Sequence, residues 1–443
     1  MLMTYLIKSA TVIALDPVMV EQADLRIADG RILERASQLK PRDGEEVIDA
    51  SGKLVMPGMV CAHTHLYSAL ARGMPAPPRV PTNFTEILEL VWWRLDRALD
   101  DETIYWSAMA GAMDAVRSGT TCLFDHHASP SRIKGSLGIV REAMEKIGLR
   151  GVLCYEVTDR GGLAERDAGL AESRALLDAV RQSSAATHQP ASMFRALVGA
   201  HASFTLTDES LAGCAALMRD YDAGLHIHAA EDKVDTQDAQ AKYGIGVIER
   251  LAKHGALNDK TIIAHGIHLS DRDIAIARAA NVWFAHNPRS NMNNQVGYAP
   301  VASFGDRLVI GTDGIGADMF DEARFAFFKG RDGRAGFGAD EWLRALANNH
   351  RLAAQAFGLA IGALDAGAVA DLVILDYHSP TPLTAQNFAW HLAFAMSSAA
   401  VESVMVAGRF IIRDRKPAYD EAALYEQARR ATAKLWDKLR TTT

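Results

Sequence analysis

Pro57-Gly58-Met59-Val60-Cys61-Ala62-His63-Thr64-His65 is the stretch on which the fold turns. A Pro-Gly turn followed by four apolar residues reads as a buried strand over 59–62, and the strand runs directly into a His-x-His pair. Side chains two apart on an extended chain point the same way, so His63 and His65 can face one metal ion at the strand's end. A His-x-His pair alone is a weak signal, since such pairs also occur on surfaces. Its position at the close of an apolar strand gives it weight.

Outward from this stretch the same pattern recurs. Short apolar runs at 121–124, 152–155, 196–199, 224–227, 261–264, 282–285 and 308–311 read as seven more strands. The segments between them look helical; 101–116 has a capping acid ahead of it and Gly119 beyond its end. Eight strands separated by helices predict an α/β fold, a TIM-like (β/α)8 barrel. A barrel needs roughly 250 residues or a little more, which leaves part of the 443-residue chain for a second unit. That unit is expected from both ends. Residues 25–28, Asp29-Gly30 and 31–33 read as a hairpin on a type I′ turn, and 370–376 and 404–412 repeat the style. The expected division is a β-sandwich built from 1–56 and 365–443, flanking the (β/α)8 barrel at 57–364. Leu424, Ala428, Ala431, Leu435 and Leu439, with Asp420 placed as cap, mark a closing helix within the last segment.

Composition narrows the classes. Hydrophobic residues at 49% and charged residues at 23% describe a globular chain. Lys+Arg 47 against Asp+Glu 54 gives a net −7, which argues against nucleic acid or an anionic membrane as partner. Residues 1–16 read as a strand, not a signal peptide. The apolar stretch 388–401 is broken by His391 and closed by Glu402, too short and polar to span a bilayer. Cys61, Cys122, Cys154 and Cys214 lie in apolar runs without C-x-x-C spacing, which reads as reduced thiols in a cytoplasmic protein.

Nearly every expected strand ends in a residue capable of chemistry. The fifth ends Leu225-His226-Ile227-His228-Ala229-Ala230-Glu231. His228 is read as the third metal ligand, Glu231 as a proton-transfer group above it, and His226 as a hydrogen-bonded histidine deeper in the barrel. The sixth ends at His265, with His268 in the following loop, and the eighth runs Gly311-Thr312-Asp313-Gly314. Three imidazoles and the Asp313 carboxylate, with one position left for water, make a catalytic rather than a closed structural site. No sulfur ligand is involved, so one divalent ion is expected, Zn2+ first and Fe2+ as the alternative.

Those motifs, with Ala264-His265-Gly266-Ile267-His268-Leu269, resemble the amidohydrolase superfamily, and within it the mononuclear deaminase branch that includes triazine hydrolases. The stretches 90–99, Asp125-His126-His127-Ala128-Ser129-Pro130, Arg289-Ser290-Asn291-Met292-Asn293-Asn294 and 314–320 are most similar to SsnA-type aminohydrolases. The resemblance spans essentially the whole chain. It implies a hydrolase of carbon–nitrogen bonds acting on a purine- or pyrimidine-related heterocycle with ammonia release; the alternative is ring opening of a cyclic amide on a purine-breakdown intermediate. Binuclear relatives carry a lysine at the end of the fourth strand; Arg195 to His201 contains none, so one metal is expected. Ala229-Ala230 stands where relatives carry bulkier residues, which leaves room above the metal.

On this reading Asp313 accepts a proton from the attacking water, Glu231 protonates the ring and the departing amine, and His265 polarises the reacting centre. His201, Arg72, His127, Trp92, Glu156 and Asn291 are the expected substrate contacts, although Glu156 and Arg160 can equally form an internal ion pair. The expected partners are a small heterocyclic substrate and water, with a homodimer left open by the resemblance. A non-catalytic barrel is the rival from another class, disfavoured because the whole ligand set is present.

Overall fold

The structure is a computed structural model that describes residues 3–186 and 193–442. Met1, Leu2 and Thr443, included in the expected terminal segments, lie outside the described residues. The N-terminal segment forms β1 (Thr4–Leu15), β2 (Val18–Ala28), β3 (Arg31–Ala36), β4 (Glu45–Asp49) and β5 (Leu54–Pro57). Asp29 and Gly30 turn β2 into β3 with φ of 50° and 77°, the left-handed pair that a type I′ hairpin requires. The barrel strands follow: β6 (Met59–Thr64), β7 (Thr120–His127), β8 (Arg150–Val157), β9 (Phe194–Ala196), β10 (Val198–Ala202), β11 (Leu225–Ala229), β12 (Ile262–His265), β13 (Trp283–His286) and β14 (Leu308–Ile310). The chain returns through β15 (Leu372–Leu375), β16 (Val401–Val406), β17 (Arg409–Arg413) and β18 (Lys416–Pro417).

Both ends meet in one mixed sheet, ordered β18-β17-β16-β15-β5-β1-β2-β3, with β4 also on β1. The seam is β5, parallel to β1 on one side and antiparallel to β15 on the other. Ile7, Val12, Leu25, Ile27, Leu372 and Met405 fill its own apolar core. A buried ion pair joins this unit to the barrel: Arg150 on β8 meets Asp371 at 2.8 Å, and Asp371 also accepts from Ala407 N at 2.7 Å.

The barrel is a parallel sheet in the order expected, β6 through β14, nearly closed. Its fourth strand differs from the single run read in the sequence. It breaks at Leu197 into β9, which pairs with β8, and β10, which pairs with β8 and β11. The ring closes through the chain just past β14: Thr312 N and Asp313 N both donate to the His63 carbonyl, at 2.9 and 3.0 Å, and Thr64 bridges Asp313. Gly311 permits this approach, because a Cβ there would lie 2.7 Å from His63 Cβ. Closure of the barrel therefore sets Asp313 beside the His-x-His pair.

Capping follows the sequence. Asp100 and Thr103 form a reciprocal capping box at the start of helix Asp101–Arg117. Asp420 caps Glu421–Leu439, whose buried face is Leu424, Ala428, Ala431, Leu435 and Leu439. That last helix lies against the barrel helix Asp101–Arg117: Tyr425 Oη donates to Asp114 at 2.9 Å and Lys434 Nζ to Glu102 at 2.6 Å. All four cysteines are free and buried. Among the described residues no helix is long and apolar enough to cross a membrane.

Candidate metal centre

β6, β11, β12 and the chain just past β14 bring their residues to one end of the barrel. The ligating atoms of His63, His228, His265 and Asp313 lie within 4.8 Å of one another. His65 joins them, its Nε2 2.9 Å from Asp313 Oδ1 and 3.2 Å from His228 Nε2. The strand ends are bent to do this. Ala230, His265 and Asp313 all take positive φ, of 51°, 71° and 53°, which turns the chain sharply where each strand stops.

Each imidazole is fixed from behind. His65 Nδ1 donates to the His126 carbonyl at 2.5 Å and His228 Nδ1 to the His201 carbonyl at 2.9 Å. His63 Nδ1 meets His226 Nε2 at 2.8 Å, so His226 takes the supporting place the sequence assigned it. With their Nδ1 protons committed, neutral His65 and His228 present bare Nε2 lone pairs to each other and to Asp313. Such an arrangement is repulsive unless a positive charge lies among them. Burial works against charging His65, but the Asp313 carboxylate overrides it and carries the imidazole up to about 9. His63 Nε2 is buried with no hydrogen-bond partner. Three nitrogens, the orphaned His63 Nε2 among them, and one carboxylate oxygen fit a single divalent cation of borderline softness.

The groups expected to move protons border this cluster. His265 Nε2 lies 3.5 Å from Glu231 Oε2 and 3.9 Å from Asp313 Oδ2. Burial and the Asp313 charge, working against His265, push Glu231 up to about 7. Asn291 Oδ1 accepts from His265 Nδ1 at 2.8 Å, so Asn291 orients the histidine and is not on the cavity wall. Ser290 donates to Asp313 Oδ2, and Asn294 donates to Glu231 Oε1 at 3.1 Å. Ser290, Asn291 and Asn294 were not read as one unit in the sequence. The helix Pro288–Asn293 carries the first two and Asn294 caps its end, and Pro288 in its first turn was the available signal.

A cleft opens above the cluster, walled by Trp92, Trp93, Asp96, Glu156, His201 and Ile315 together with the metal-facing residues. His201, Trp92 and Glu156 thus stand where the sequence placed them. Besides Asn291, two more expected contacts do not. Arg72 is exposed, pairs with Asp114, and lines an adjoining cavity that shares Trp92 and Ile315 with the first. His127 turns to Ser129 Oγ at 2.9 Å, while its neighbour His126 lies beneath the metal-facing rings, 4.7 Å from His228. Alternation along β7 allowed only one of the pair to face inward, and it is His126. Ala229 and Ala230 are fully buried and off the cleft wall; Ala230 N is held by Asp235 at 2.8 Å.

Asp96 is a wall residue the sequence did not single out, and Trp93 stands on the wall beside Trp92. Arg160 lies over the Trp93 ring at 4.7 Å, 2.9 Å from Asp96 and 3.5 Å from Glu156, so the foreseen Glu156–Arg160 pair exists and Asp96 joins it. Burial outweighs Arg160 and pushes Asp96 up to about 7, whereas His201, His126 and Arg160 together overcome burial and hold Glu156 well below the carboxylate range.

Residues 54–411 match the amidohydrolase family. The chain belongs to it. Two relatives cover nearly the whole sequence. A 5′-deoxyadenosine deaminase of Methanothermobacter thermautotrophicus is 30% identical over 434 residues, 95% of this chain and 96% of that protein. A 5-methylthioadenosine/S-adenosylhomocysteine deaminase of Desulforudis audaxviator is 31% identical over 403 residues, 89% of each. In fold, this amidohydrolase is similar to a zinc-bound adenosine deaminase from Xanthomonas campestris, with a TM-score of 0.84, 24% identity, and 99% and 98% of the two chains covered. The atrazine chlorohydrolase TrzN of Arthrobacter aurescens, complexed with zinc, gives 0.80 at 23% identity over 97% and 100%. The chain is a metal-dependent hydrolase of carbon–nitrogen bonds, of the deaminase type expected from its sequence.

Proposed function

We propose that this amidohydrolase removes the exocyclic amino group from the adenine ring of a nucleoside altered at its 5′ position, releasing ammonia. The observation that carries the reading is one imidazole set between two carboxylates at the mouth of the ligand cluster: His265, 3.5 Å from Glu231 and 3.9 Å from Asp313. The names of relatives about 30% identical over nearly their full length supply the substrate class.

His63, His65, His228 and Asp313 would hold one divalent ion, Zn2+ in this reading. When bound there, such an ion supplies Lewis acidity, which brings the pKa of water down toward neutrality. The remaining work belongs to the side chains. Asp313, steadied by Ser290, takes a proton from the incoming water. Glu231, steadied by Asn294, gives one to the ring nitrogen next to the reacting carbon, takes another from the added hydroxyl and hands it to the amine as it departs, and is reset by the proton that Asp313 holds. His265, fixed by Asn291, donates toward the oxygen that develops charge. Glu231 favours expulsion of an amine over ring opening, because an amine must be protonated to leave. His201, Glu156, Trp92, Trp93 and Asp96 contact the ring and its sugar from the wall of the cleft.

The domain limits follow the sequence reading, 1–56 with 365–443 around 57–364. Four buried free thiols suit the reducing cytoplasm. The likeness to SsnA-type aminohydrolases rests on the sequence runs alone. The test is a panel of adenosine, 5′-deoxyadenosine, 5-methylthioadenosine, S-adenosylhomocysteine, guanine and simple pyrimidines, run on metal-analysed protein and scored for ammonia. Turnover of the 5′-altered adenosines above the free bases supports the reading. A new carboxylate without ammonia, or turnover of free bases alone, overturns it.

A further inference from the structure

A second cavity, of about 290 Å3, opens at the end of the barrel opposite the metal-facing residues, and it shares no wall residue with the cleft above them. Its lining comes from where strands begin: Val152 on β8, Leu197 at the break between β9 and β10, Gly224 just before β11 and Lys260 just before β12. Phe124, Leu177 and Leu352 complete an apolar interior. The charges around that interior do not balance. Arg181, Arg195 and Lys260 reach the wall against a single carboxylate, Asp222, which Lys260 already holds at 2.6 Å. Arg195 donates to the carbonyls of Phe194 and Phe357, at 2.9 and 3.1 Å, and Arg181 to that of Asp220 at 2.6 Å. Neither guanidinium pairs with a carboxylate among the described residues, and residues 187–192 contain no acid. Nearby acids are engaged elsewhere: Asp178 accepts from Tyr221 at 2.6 Å, Asp220 pairs with Arg174 at 3.7 Å, and Asp259 accepts from Gln355 at 3.1 Å.

We infer that this floor cavity binds a small organic acid, one carboxylate on a hydrocarbon chain or ring, with the carboxylate toward Arg195 and Arg181 and the apolar body among Phe124, Leu177, Leu197 and Leu352. A half-buried guanidinium without a counter-charge is costly. Burial and the neighbouring Arg150 charge both work against the Arg195 cation and lower its pKa, and Arg150 itself is already answered by Asp371. An anion in the cavity relieves that cost, and the planar fork of Arg195 suits the two oxygens of a carboxylate. In a chain of net charge −7, this hollow is a local site of positive potential. A metal cation would be repelled there, and a neutral hydrocarbon would leave both guanidinium groups unanswered. The volume lies at the lower end of the roughly 300–1,000 Å3 of small-molecule pockets, which suits one compact acid and not a coenzyme.

The test is calorimetric titration of the metal-loaded full chain with octanoate, against octan-1-ol and n-octylamine as its uncharged and cationic counterparts. Octanoate is expected to bind one per chain at submillimolar concentration, octan-1-ol at least about tenfold more weakly, and octylamine not at all. Arg195→Gln should weaken octanoate by about tenfold or more, the cost of one lost hydrogen bond between charged groups. Arg181→Glu carries the test where that variant does not fold, because Arg181 is an exposed rim residue; it should weaken octanoate at least as much. Octanoate bound at the metal instead would survive both substitutions. An octanoate affinity unchanged in both variants, octan-1-ol bound as tightly as octanoate, or no octanoate bound at millimolar concentration overturns the inference. None of these readouts uses a nucleoside, so they stand or fall apart from the deaminase reading.

Discussion

The Nε2 atoms of His65 and His228 face each other across 3.2 Å while both Nδ1 atoms are committed to backbone carbonyls. Two lone pairs in that position repel unless a positive charge lies between them, which the bound ion supplies in the holoenzyme. Removal of the ion by a chelator should therefore destabilise the protein as well as silence it. An ion present at about a thousand times its Kd contributes roughly 4 kcal/mol to stability. Thermal unfolding of the chelated protein is expected several degrees below that of the holoenzyme, and stoichiometric Zn2+ should restore both transition and activity. An unchanged transition would place the ion elsewhere.

Glu231 touches Asn294 and approaches His265, and it is not among the four proposed ligands. Glu231→Gln keeps the shape and one hydrogen-bonding oxygen but cannot transfer a proton. Turnover should fall by about 10^2 to 10^4 with one metal per chain retained. Ammonia release and elemental analysis on the same sample check both halves, and near-native turnover would reject the role.

Asn291 acts through His265. Its Oδ1 holds the ring proton on Nδ1 and so leaves Nε2 aimed between the two carboxylates. Asn291→Ala should lower kcat by about 10- to 100-fold, the usual cost of losing such a support, with KM little changed. Asn291→Asp preserves the acceptor and should recover much of the loss. If KM rises and kcat does not fall, Asn291 contacts substrate instead.

The clustered metal-facing residues were legible because each stands at or just past the end of an apolar strand, where alternation and barrel geometry fix its direction. His63, His65, His228 and Asp313, with His265 beside them, needed little knowledge of loops. Arg72 and His127 failed for the complementary reason. Arg72 follows a 3-10 turn whose direction no periodicity announces, and it meets Asp114 outside the cleft. His127 and His126 share a strand end, and only the packing beneath the metal-facing rings decides which turns inward. Asp96 reaches the wall from the end of a helical run that begins at Phe84, and nothing local marked it. The split of the fourth strand at Leu197 was hidden because one apolar run serves both β9 and β10.

Arg150 and Asp371 tie the terminal sheet to the barrel, each almost fully buried, with a bidentate contact at 2.8 and 3.2 Å. Asp371 comes from just before β15 and Arg150 from the start of β8, so the pair pins two units far apart in the chain. Asp371→Ala removes the counter-charge from a buried guanidinium that also lies 5.1 Å from the Phe357 ring. The expected loss is about 3 to 5 kcal/mol, read as a lower denaturant midpoint. Replacing both partners, Arg150→Met with Asp371→Leu, should cost much less, because no charge is then left buried. Equal losses in the single and double variants would show that the pair acts through packing and not through its charges.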